Sequence, residues 1–145
     1  MGLDMHLYNK LEEGEPDWER LYKRLEEGEP FESVTPFRDI AYWRKFNALH
    51  QWFVMHVQNG NDDCRRYPVT RQHLIHLLDT LKSLSGEEED ARQKLPPQSG
   101  FFFGSTDIDA RYWSEVERTI ATIEKLLGQP DADYWFHNLF YLADW

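Results

Sequence analysis

The stretch Tyr42-Trp43-Arg44-Lys45-Phe46-Asn47-Ala48-Leu49-His50-Gln51-Trp52-Phe53 decides how the chain is read, because it sets large aromatics among long polar groups where the neighbouring residues carry a helical period. Ile40, Trp43, Phe46, Leu49 or His50, Phe53 and Val57 recur at three- and four-residue steps, the spacing of one apolar helix face. The pattern predicts a helix that starts at Pro36 or Phe37, runs to Val57 or Gln58 and stops at Asn59-Gly60-Asn61. Arg44, Asn47, Gln51 and Gln58 would then share a neighbouring face, Asn47 three residues after Arg44 and Gln51 four after Asn47. Such a helix buries one face and offers a binding surface on another.

Toward the N-terminus, Leu3, Met5 and Leu7 alternate with Asp4, His6 and Tyr8, which predicts a strand with one apolar face. A strand needs a partner, and the aromatic segment Tyr134–Tyr141, after the Gly128-Gln129-Pro130 break, is the one expected. Between strand and helix, Leu11-Glu12-Glu13-Gly14-Glu15-Pro16 recurs at 25–30. Gly and Pro in each copy limit any helix to residues 17–27, so 11–30 reads as a mobile acidic insertion.

Toward the C-terminus, Thr70 is the expected N-cap of a second helix carrying Leu74, Leu77, Leu78, Leu81 and Leu84 and ending before Gly86. The charged run Glu87–Lys94 adds a turn of helix before Pro96-Pro97. A third helix follows Gly104-Ser105-Thr106, with Asp107 and Asp109 in its first turn and Ile108, Tyr112, Val116, Ile120, Ile123 and Leu127 as its buried stripe. The fold class expected is α+β in a single domain over residues 1–145. Three principal helices would pack on a small, mostly antiparallel sheet that includes both termini and Phe101 to Phe103.

Aromatics at 15% and hydrophobic residues at 41% are the composition of a folding chain. The one cysteine, Cys64, excludes an internal disulfide and fits a reducing compartment, so a cytoplasmic location is expected. No apolar run approaches the roughly 20 residues that cross a bilayer, and the start lacks a secretory or myristoylation pattern. A net charge of −10 argues against broad nucleic-acid binding. The charge is uneven, however: −6 over residues 1–32, +3 over 33–86 and −7 over 87–145. Arg38, Arg44, Lys45, Arg65, Arg66 and Arg71 of the middle third can focus an attractive field on a small anion.

No complete catalytic or cofactor motif is present. Gly100-Phe101-Phe102-Phe103-Gly104-Ser105-Thr106 offers flexible backbone, hydroxyls and stacking faces ahead of a helix, but lacks the Gly-Lys end of a phosphate-binding P-loop, and Asp107 and Asp109 would repel phosphate. The plainer reading is a buried Phe strand before a capped helix. His73 and His76 stand three apart without a His-Glu-x-x-His pattern, and Asn59-Gly60-Asn61-Asp62-Asp63 lacks calcium-loop spacing, so no metal or cofactor is expected. Cys64 beside Arg65 and Arg66 would have a lowered thiol pKa if exposed, and His50 or His56 could serve as its base.

At Met1-Gly2-Leu3-Asp4-Met5, at Tyr42-Trp43-Arg44-Lys45 with Asn47, His50, Trp52 and Phe53, and at Pro97-Gln98-Ser99-Gly100-Phe101-Phe102-Phe103-Gly104-Ser105-Thr106, the chain resembles a family of small phage and prophage proteins. The resemblance implies an accessory role in a bacterial host and carries no reaction. Aromatic faces and Arg forks together suit a base and a phosphate. The expected function is therefore a non-catalytic binder that sequesters a small anionic, nucleotide-like host defence signal. The ligand-binding residues expected are Tyr42, Trp43, Arg44, Asn47, His50, Gln51, Phe101, Phe103, Ser105 and Thr106. The alternatives are an inhibitor that docks on a host protein and, third, a small hydrolase using His50, His56 or Cys64; a homo-oligomer is open to any of them.

Overall fold

A computed structural model describes residues 2–10, 23, 26–28, 37–100, 103–128 and 139–145. In chain order these form β1 (Asp4–Lys10), β2 (Phe37–Arg44), α1 (Asn47–His56), β3 (Tyr67–Pro68), α2 (Arg71–Lys82), α3 (Glu88–Lys94), α4 (Ala110–Leu127) and β4 (Leu139–Asp144). The sheet has the order β2-β1-β4-β3 and every pairing in it is antiparallel. The expected α+β class holds, and the two ends of the chain pair: Met5 lies opposite Ala143 and Leu7 opposite Tyr141.

The alternation in β1 decides which face is buried. Leu3, Met5 and Leu7 are fully buried, and each of the two strand residues lies between core-facing partners, Met5 between Trp43 and Ala143 and Leu7 between Ala41 and Tyr141. Each such side chain contributes about 1.5–3 kcal/mol through its removal from water. Helices cover this face; α2 and α4 pack on each other and share the Lys82–Glu124 ion pair at 2.9 Å. The other face carries Asp4, His6 and Tyr8 beside Tyr42 and Phe140.

Residues 37–44, expected to open the long helix, form β2 instead. Ala41 and Trp43 face the core at a period of two, and Ile40, Tyr42 and Trp43 suit a pleated surface beside β1. A bulge between Leu7 and Tyr8 leaves Ile40 without an opposite number. Lys45, at φ +56°, turns the chain, and its N–H donates to Leu3 O at 2.7 Å. Only from Asn47 does the helical period apply, so Arg44 and Asn47 share no helix face.

The expectation that Phe101 to Phe103 join the sheet is corrected at Phe103, which lies in a loop, while residues 101 and 102 fall outside the described residues. The fourth place is taken by Tyr67–Pro68. Of the expected strand at 134–141, residues 139–141 belong to β4 and 134–138 fall outside the described residues. The acidic repeat at 11–30 also falls outside them, apart from residues 23 and 26–28, where Glu27 N–H donates to Lys23 O at 3.0 Å.

Thr70 caps α2 as expected: its hydroxyl accepts from His73 N–H at 3.2 Å, while His73 Nδ1 accepts from Thr70 N–H at 3.0 Å. Asp109 caps α4 by accepting from Tyr112 N–H at 3.1 Å, so Asp107 stands before the helix rather than in its first turn. The run 88–94 is a separate helix, α3.

Candidate functional site

Where β2 ends and α4 begins, Arg44, Lys45 and Arg111 meet over a hollow of about 100 Å³ whose wall includes Asn47, Pro97, Ser105, Asp107, Asp109, Tyr112 and Glu115. Lys45 reaches it between two glycines. A Cβ at Gly2 would stand 3.2 Å from Lys45 Cε and 3.3 Å from Arg44 Nη2, and one at Gly104 would stand 3.1 Å from Lys45 Cβ. Gly104, at φ +86°, thus makes room for a lysine stem of the same chain. Arg111 Nη2 also donates to Arg44 O at 3.4 Å, which holds the guanidinium at the end of β2.

The charges around the hollow are unequal in availability. Asp109 is committed to the α4 cap, and Glu115 pairs with Arg118 at 2.8 Å. Among the described residues none of Arg44, Lys45 and Arg111 has an ion-pair partner. Asp107 is the remaining carboxylate on the wall. Two residues before Arg44 on the same strand face, Tyr42 is 44% exposed, and its hydroxyl donates to Asp4. That bond, ahead of burial, raises the Tyr42 pKa, so the phenol stays neutral.

The other expected ligand residues have structural work. Trp43 is buried, and its indole N–H donates to Thr119 Oγ1 at 2.9 Å. Asn47 is buried and fully bonded: Nδ2 donates to Phe103 O at 3.0 Å and to Ser105 O at 2.8 Å, while Oδ1 accepts from Gln98 N–H at 2.9 Å. It fastens Gln98, Phe103 and Ser105 to α1. Phe103 packs edge-on against His50 and Trp145, with ring centroids 5.5 and 5.7 Å apart. Gly100 lies against that same ring, so its missing Cβ serves packing. Ser105 lines the hollow, and its hydroxyl accepts from Asp107 N–H at 3.0 Å. Thr106 is exposed, Gln51 is half-buried, and Phe101 falls outside the described residues.

His50 is the most altered of these expectations. It is fully buried, with Nδ1 2.6 Å from Tyr141 Oη and Nε2 2.9 Å from Asp62 Oδ1. The carboxylate can only accept, so Nε2 carries a proton and the neutral ring accepts the tyrosine proton at Nδ1. Burial lowers the His50 pKa against the opposing pull of Asp62, and burial pushes Tyr141 well up. The chain Tyr141–His50–Asp62 is closed at both ring nitrogens and has no face for a substrate. It joins β4, α1 and the loop after α1.

The same loop disposes of two further readings. Asp63 accepts from Tyr67 Oη at 2.7 Å, so with Asp62 on His50 its oxygens are turned to protein groups rather than to a cation. Cys64 is exposed, but partial burial of the sulfur raises its pKa and Asp144, Asp62 and Asp63 add to the rise. A backbone hydrogen bond with Trp145 works against that rise without reversing it, so the thiol pKa moves up, not down as Arg65 and Arg66 alone would have it.

Two groups that matter here were not among the residues singled out from the sequence. Arg111 sits in the first turn of α4, and only the turn at Lys45 brings it to Arg44. Tyr141 carried a β-strand signal but no sign of its histidine. The arrangement can hold a small anionic group by charge-assisted hydrogen bonds at the hollow, with a stacking face beside it at Tyr42. No helix among the described residues is long and apolar enough to cross a membrane, and no three of their His, Cys, Asp or Glu side chains gather as a metal site. The chain matches no family model, no curated protein and no solved structure.

Proposed function

We propose that this protein is a non-catalytic binder of a small anionic, nucleotide-like ligand, with a phosphate at the Arg44–Lys45–Arg111 hollow and a base against Tyr42. The observation that carries the reading is the convergence of three cations, without ion-pair partners among the described residues, on one hollow; of the carboxylates on its wall, Asp109 is bonded in the α4 cap and Glu115 to Arg118, while Asp107 opposes the anion. At about 100 Å³ it is below the range of about 300–1,000 Å³ that encloses a drug-sized ligand. It admits one phosphate or carboxylate group and leaves the rest of the ligand on the surface. The kinship with phage and prophage proteins expected from the sequence motifs is part of this proposal, and with it a host defence signal as the ligand, held and not turned over. The closed state of His50 and the raised pKa of Cys64 favour binding over hydrolysis.

Calorimetry against a panel of cyclic and ADP-ribose-type nucleotides tests this reading. Arg44→Ala is expected to weaken the best ligand by about 1.5–3 kcal/mol, about ten- to 150-fold, and Arg44→Lys to fall between, since it restores charge without the planar fork. The ligand is expected back intact after denaturation of the complex. Unchanged affinity in a folded Arg44→Ala protein removes the hollow from the site, and a cleaved ligand makes the protein an enzyme.

A further inference from the structure

At the C-terminal end of α1, away from the Asn47 end that lines the hollow, two histidines of two helices gather around one indole. Trp52 is 5% exposed; the His56 ring lies 4.6 Å from it and the His76 ring 5.4 Å, centroid to centroid. The two imidazoles are 4.8 Å apart and 82° to one another. One ring is on the last turn of α1, the other on α2, and both residues are exposed, each with its ring against Trp52. His73 is nearby, and its Nδ1 accepts from Thr70 N–H at 3.0 Å, which closes the α2 cap and fixes that ring at the helix start.

We propose that His56 and His76 form a two-imidazole site for a borderline divalent transition metal such as Zn²⁺ or Ni²⁺, bridging α1 and α2. Imidazole nitrogen suits these ions, and a pair of protein ligands leaves the other positions to water. A two-ligand site agrees with the absence, among the described residues, of any three-residue metal cluster. Metal requires neutral imidazole. The site shares no residue with the anion hollow and stands or falls separately from it.

Thermal unfolding with Ni²⁺ or Zn²⁺ tests the site in a Cys64→Ser background, which removes the exposed thiol as a competing ligand. Metal in about 100-fold excess over its Kd is expected to raise Tm by at least about 3 °C at pH 7.5, and by much less at pH 5, where protons displace the ion. The shift is expected to vanish in His56→Ala and in His76→Ala separately. It should persist in His73→Ala, whose metal-free Tm drops because a cap is lost. No shift in the parent protein, a shift that survives either of the first two substitutions, or one abolished by His73→Ala overturns the proposal.

Discussion

His50 and Arg44 are six residues apart and came from one reading of one stretch, yet they ended in opposite conditions. Around His50 every polar atom is answered: Tyr141 on one nitrogen, Asp62 on the other, and Phe103 and Trp145 packed against the ring. Around Arg44 the cations stand without ion-pair partners among the described residues, over a hollow open to solvent. A polar side chain with all its bonds made inside the fold is holding that fold together, whereas a cation left without an ion pair keeps donors that an anionic ligand can use. On the proposed function, the two regions separate stability from binding along a few residues of chain.

The sharpest way to break this contrast is to empty the closed region. His50→Ala leaves a cavity and strips the partners from the Tyr141 hydroxyl and the Asp62 carboxylate, so denaturant unfolding is expected to show a loss of about 3–5 kcal/mol. Stability within about 0.5 kcal/mol of the parent would mean the chain of hydrogen bonds carries little. Asn47→Ala comes next, at about 2–3 kcal/mol, because three loop bonds go with it. Its loss should also loosen the backbone at Gln98, seen as faster exchange of the amide that now donates to Asn47 Oδ1.

A smaller effect follows from pH. Burial sets the His50 pKa below the ordinary value of about 6.5, so on acidification the unfolded chain takes up the proton first. Stability from this group is complete above about pH 6.5 and declines as pH falls from there toward the depressed folded value, by at most about 1.4 kcal/mol per pH unit. His56 and His73 act in the same direction. Comparison of the slope in the parent and in His50→Gln isolates the share of His50, and equal slopes would assign the dependence to the other histidines. At the small end, Arg44→Ala should move stability by no more than about 0.5 kcal/mol while it weakens ligand binding, a split that His50→Ala cannot produce. A large loss of stability in Arg44→Ala would erase the distinction between the regions.

Much of the fold was open to reading residue by residue. The period-two run Leu3–Met5–Leu7 predicts a strand because alternation admits one buried face, and Thr70 marks a helix start because a side-chain oxygen there answers an N–H group the helix leaves free. The stripe Tyr112, Val116 and Ile123 predicts the buried side of α4 for the same kind of reason. These are local rules, complete within one element. Residues 37–44 defeated them, since Ile40, Trp43 and Phe46 fit a helical step as well as Ala41 and Trp43 fit a strand, and the free edge of β1 settled which period applied. The site was less legible than the fold. Arg44 and the Ser105 loop were visible as candidates, but the neighbours that make one residue a ligand group and another a strut come from distant parts of the chain: Arg111 for Arg44, Tyr141 for His50, Thr119 for Trp43. Residue type and spacing determined what each side chain can do; only the tertiary structure decided which hydrogen bonds and charges were already answered, because that depends on contacts between positions that spacing along the chain does not relate.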